Sequence, residues 1–173
     1  MNPFTTPDAA DRLAIYLNDH RAVIVGELAL ADRCRNSHDG TELAHDLTIH
    51  IGAATVDRDI VDDVLGRLDL GIDHVKSLAA TVGERLGRFK LNGQLTGQSP
   101  LSPVVELEGL VAATHARHDM WNAFDELGVL DAYDTDHTAT GRAAAAVEQL
   151  DALRPHLHRA IGDAVSTQPS PGR

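Results

Sequence analysis

Leu13–Cys34, LAIYLNDHRAVIVGELALADRC, reads as one long amphipathic helix with two ionisable residues, His20 and Glu27, set into its apolar stripe. At about 100° per residue, seven residues complete almost two turns, so the imidazole and the carboxylate point the same way. Leu13, Tyr16, Val23, Ile24 and Ala31 share that side. The pair therefore looks into a core, where each charged group costs several kcal/mol unless a partner meets it.

Working outward, Thr6-Pro7-Asp8 gives this helix a start: a capping hydroxyl, a proline at the first helical position and an acid in the first turn. The helix is expected to end near Cys34, followed by the polar turn RNSHDG at 35–40. Thr41 can cap a second helix, Glu42 to about Leu70, with Leu43, Leu47, Ala54, Val61, Val64 and Leu68 on one face. His50 and Asp57 sit at the centre of that face, again two turns apart. Residues 74–89 predict a shorter crossover helix, and the Gly-, Gln- and Ser-rich run at 90–102 predicts a connecting loop.

Ser102-Pro103 repeats the start signal, and a third long helix is expected to reach Leu127-Gly128. Val104, Leu107 and Val111 place Glu108 and His115 on its inner side, while Met120, Trp121 and Phe124 turn toward a second neighbour or an apolar contact patch. The acidic run at 129–138 lacks the glycine and terminal glutamate of a calcium loop, so Asp131, Asp134 and Asp136 read as a solvated turn. A last helix is expected from about Thr140 to Val165, through Val147, Leu150, Leu153, Leu157 and Ile161. Pro155 should kink it, and Asp151 and His158 lie at the edge of its stripe. The reading is one domain over 1–165 with a disordered tail at 166–173.

Composition points the same way. The 173 residues are rich in Ala, Leu and Val and only 3% aromatic, which favours helix packing over a sheet sandwich. The net charge of −11, with no basic cluster, argues against a nucleic-acid or anionic-membrane surface. One cysteine, Cys34, excludes an intramolecular disulfide, and no run reaches transmembrane length, so a cytoplasmic location is expected. Cys34 reads as an inert thiol at a helix end.

Each long helix thus carries a histidine and a carboxylate two turns apart: His20/Glu27, His50/Asp57, Glu108/His115 and Asp151/His158. Folding the first two helices about the turn at 35–40 sets His20 level with Asp57 and Glu27 level with His50. Folding the last two about the acidic run sets Glu108 level with His158 and His115 level with Asp151. Two chemistries compete for these residues. They can form buried ion pairs that fix the register of an Ala-rich bundle. Alternatively His20, Glu27, His50, Asp57, Glu108 and His115 can converge on a divalent metal, with mixed nitrogen and oxygen donors that suit Fe, Mn or Zn.

The order long, long, crossover, long, long resembles the ferritin-like four-helix bundles. YLNDHRA with a later GEL, and GRFKLNGQ…SPLSPVVELEGL, resemble uncharacterised bacterial proteins of this size associated with that fold. The resemblance implies an all-α, up-down four-helix bundle with a short crossover helix between helices 2 and 3. It would carry the first- and third-helix iron-ligating glutamates onto Glu27 and Glu108. The Glu-x-x-His of the di-iron pattern has only Glu42-Leu-Ala-His45, at the wrong level, and has no counterpart in the last helix. Asp19-His20-Arg21 also resembles the first helix of hemerythrin-like bundles, but the later histidine spacings depart from theirs. Two functions follow as expectations: a metal-binding bundle, or a non-enzymatic bundle acting through its surface as a homodimer.

Overall fold

A computed structural model describes residues 7–67, 100–132 and 137–166. The crossover helix expected at 74–89, most of the loop after it, Asp134, Asp136 and the tail beyond Ser166 lie outside the described residues. The described residues form helices only, with no strand among them. Four long helices, α1 (Pro7–Ser37), α2 (Glu42–Arg67), α3 (Ser102–Leu127) and α5 (Ala139–Val165), are joined by one short one, α4 (Val129–Ala132).

The ends follow the local chemistry. Asp8 and Arg35 sit in the first and last turns of α1, and Glu42 and Arg67 in those of α2, each opposing the adjacent end of the helix dipole. Between them Gly40 takes φ +74°, a left-handed conformation that side-chain-bearing residues rarely adopt. Thr41 closes the turn: its hydroxyl donates to the His38 carbonyl at 2.6 Å and accepts from the Ala44 amide at 3.3 Å. The third helix departs from expectation. Ser102 is its first helical residue, Leu101 holds the cap position without a side-chain bond, and Pro103 supplies the start. Gly128, at φ +61°, ends it by donating to the Phe124 and Asp125 carbonyls. The acidic run then begins with a helical turn whose Val129 and Leu130 are buried. Thr138 caps α5 by accepting from the Gly141 amide at 3.2 Å, and Pro155 lies inside that helix.

Cross-helix pairs give the directions. Glu27 meets His50 while Arg21 meets Asp62, so α1 and α2 are antiparallel. Glu27 meets Arg117 while Arg33 meets Glu106, so α1 and α3 are antiparallel as well. Asp57 meets Arg142 while Asp46 meets His156, which makes α2 and α5 antiparallel. It follows that α2 and α3 run the same way. The α3–α5 and α1–α2 seams are the closest packed and the α2–α5 seam the loosest.

The core has two apolar ends. At one, Leu13, Leu17, Val61, Val64, Trp121 and Phe124 pack together, Trp121 and Phe124 edge to face with centroids 5.1 Å apart. At the other lie Ala31, Cys34, Leu43, Leu47, Leu110 and Leu153. Met120, Trp121 and Phe124 are therefore core residues and form no exposed patch. Val147 and Ile161, expected inside α5, are 41% and 38% exposed instead. Leu150 and Leu153 face the core, which turns position 147 to the flank of α5.

Candidate functional site

Between the two apolar ends lies a layer of polar side chains from all four long helices. Glu27, His50, Asp57, Thr114, Arg117 and Gln149 are all buried, and Arg117 and Asp57 are 0% exposed. Arg117 is the hub. Its Nε donates to Glu27 Oε2 at 3.1 Å and its Nη2 to Glu27 Oε1 at 2.8 Å, a two-point grip on the carboxylate. The same Nη2 donates to Gln149 Oε1 at 2.5 Å, and Nη1 donates to Asp57 Oδ2. One guanidinium thus joins α1, α2 and α5 to α3.

Every oxygen of the two carboxylates accepts from a guanidinium. Glu27 Oε1 also accepts from the Thr114 hydroxyl at 3.0 Å and lies 2.8 Å from His50 Nε2. The His50 contact is at ion-pair distance without hydrogen-bond geometry, and neither His50 nitrogen has a hydrogen-bond partner. Asp57 Oδ1 accepts from Arg142 Nε at 2.5 Å, and Arg142 Nη2 donates to the Ala53 carbonyl at 2.9 Å. Burial pushes the Glu27 carboxyl upward, but His50 and Arg117 outweigh it and hold the group below its ordinary range. Burial likewise opposes the Arg117 charge, and Glu27 and Asp57 overcome it, so the guanidinium stays protonated. Within the layer two carboxylates face two guanidiniums, so the charges of its acids and arginines balance.

The sequence placed Glu27 level with His50, and the structure brings them together. Asp57 is in the layer too, but its partners are Arg117 and Arg142 and not His20. His20 is half-buried one turn from Tyr16, their rings 4.4 Å apart, and its Nδ1 is unpartnered. Burial lowers its pKa, with Asp19 and Asp119 opposing. Glu108 and His115, expected inside, are exposed, as are Asp151 and His158. The core stripe of α3 is Leu107, Leu110, Thr114, Arg117, Trp121 and Phe124, at alternating three- and four-residue steps, and it turns 108 and 115 to solvent.

The residues the sequence reading missed are Arg117, Arg142, Thr114 and Gln149. Their signal was present, since Thr114 and Arg117 fall on the step pattern set by Leu107 and Leu110. An arginine on an apolar stripe facing two acids is a counter-ion in waiting.

The donor set does not suit a divalent metal. Each oxygen of Glu27 and Asp57 already accepts from a guanidinium N–H group, and that resident positive charge would repel a metal cation. Among the described residues, no three His, Cys, Asp or Glu side chains are grouped to hold an ion. Cys34 is buried beside His38, whose Nδ1 lies 2.8 Å from the Cys34 carbonyl oxygen and 3.8 Å from Sγ. Burial, with the Glu106 charge adding to it, pushes the thiol pKa up to about 11. An open depression at the α1–α2 turn, lined by Arg35, Asp39, Thr41 and His45, is separate from the layer.

No helix among the described residues is long and apolar enough to cross a membrane. No protein-family model, curated protein or solved structure matches this chain.

Proposed function

We propose that this chain is a non-enzymatic helical scaffold with a ferritin-like arrangement of its long helices, and that its polar centre is a structural ion-pair layer, not a metal or substrate site. The observation that carries this reading is Arg117, wholly buried and bonded to both carboxylates that a metal would require. A ferritin-like arrangement is supported by the parallel course of α2 and α3, which needs a long link, and residues 68–101 separate them. The centre is buried and its acids are matched by arginines, so it offers a substrate no free charged group. What remains for function is the outer surface.

Elemental analysis of protein purified without chelator tests this, together with thermal unfolding after addition of Fe(II), Mn(II) or Zn(II). The expected result is metal well below one equivalent, no stabilisation by any of the three ions, and marked destabilisation of a Glu27→Ala/His50→Ala variant. Stoichiometric metal in the wild type that the same variant loses would overturn the reading.

A further inference from the structure

Asp151 and His158, the ionisable pair left outside the buried layer, belong to a second stripe on the outer face of α5. Ala144 and Val147 begin it, Asp151, Arg154 and His158 occupy its middle, and Ile161 and Val165 end it. Steps of three and four residues alternate along it without a break, the spacing of a coiled-coil seam. Every one of these residues is exposed, Val165 at 68%.

The order apolar, charged, apolar is close to a palindrome, which is what a two-fold interface between identical helices requires. Two such helices laid antiparallel, with the axis level with residues 152 and 153, oppose the two kinds of seam position. Ala144 then faces the partner's Ile161, Val147 faces the partner's His158, and Asp151 faces the partner's Arg154, each twice. Arg154 Nη1 already lies 2.7 Å from Asp151 Oδ1 of its own helix, so the guanidinium is held along the stripe. A parallel pairing would set Arg154 against its own copy and Asp151 against its own copy, and like charges at that distance repel.

We infer that the outer face of α5 is a two-fold antiparallel interface with a second copy of this chain, closed by reciprocal Asp151–Arg154 ion pairs between flanking apolar contacts. This rests on the scaffold reading, because it gives the surface the role that the buried centre lacks. The two fail separately: metal content and stability test the centre, and molecular mass tests the face.

Sedimentation velocity on the full chain, up to about 100 µM, should find a dimer, since weak interfaces assemble in that range. Val147→Lys should leave helicity unchanged and weaken the dimer at least about ten-fold, because a cation then replaces the apolar contact opposite the partner's His158. Asp151→Arg and Arg154→Asp should each do the same, and the two together should restore the dimer. A wild-type chain monomeric throughout, a dimer that survives Val147→Lys, or a double variant no better than the singles overturns the proposal.

Discussion

Replacing Arg117 with methionine removes the hub of the buried layer while keeping much of the side chain's apolar volume. Four donor contacts disappear: two to Glu27, one to Asp57 and one to Gln149. Glu27 keeps His50 and Thr114, and Asp57 keeps Arg142, so neither carboxylate is wholly abandoned. The acids of the layer nonetheless come to outnumber its arginines by one in a buried setting. Breaking a buried pair by removing one partner costs about 3–5 kcal/mol. At about 2–4 °C per kcal/mol for a chain of this size, the midpoint should fall by roughly 6–20 °C.

Urea unfolding followed by far-ultraviolet circular dichroism measures the loss, and a second variant isolates its cause. Glu27→Gln/Asp57→Asn/Arg117→Met has no buried charge for Arg117 to neutralise, and it should recover a large part of the stability, because neutral isosteres avoid the desolvation cost. A loss under about 1 kcal/mol for Arg117→Met, below the range for a broken buried pair, would refute the claim that this guanidinium holds the centre together.

Stability should also depend on pH in a defined direction. Glu27 is held below its ordinary value of 4.5 and His20 below 6.5, so in both cases the unfolded chain binds the proton first. Their contributions are complete above pH 6.5 and shrink below it, first through His20 and then, below pH 4.5, through Glu27. His20→Gln should flatten the upper part of that profile in denaturant titrations, and an unchanged profile would remove His20 as its source. Cys34, with its thiol pushed up to about 11 and its side chain buried, should react with iodoacetamide far more slowly than a free thiol until the chain is unfolded. Rapid labelling of the folded protein at pH 8 would contradict that burial.

The start of α1 at Pro7 was legible from its proline, and the turn at Gly40–Thr41 from its residue types. So was the pairing of Glu27 with His50, because an antiparallel register follows from the turn position once both stripes are known. The error at His20 has a physical origin. Level residues compete for partners, and a permanently charged guanidinium from a third helix outcompetes a neutral imidazole for Asp57. Glu108 and His115 were misplaced because Val111 was taken as the guide to the inner side of α3, while Thr114 and Arg117 carry the true stripe. A search for acids and histidines alone looks past arginine, the residue best suited to a buried ion pair.

The division of charge between the two helical hairpins has a consequence for assembly. The α1–α2 half brings Glu27 and Asp57 to the centre, and the α3–α5 half brings Arg117 and Arg142. Each half is thus keyed to the other by sign. Two copies of the first half packed face to face would bury four carboxylates, and two copies of the second would bury four guanidiniums. Ala- and Leu-rich helices pack against almost anything apolar, so this polarity discriminates against like-with-like association during folding. The layer steers each half to its complement, whether or not it adds to the final stability.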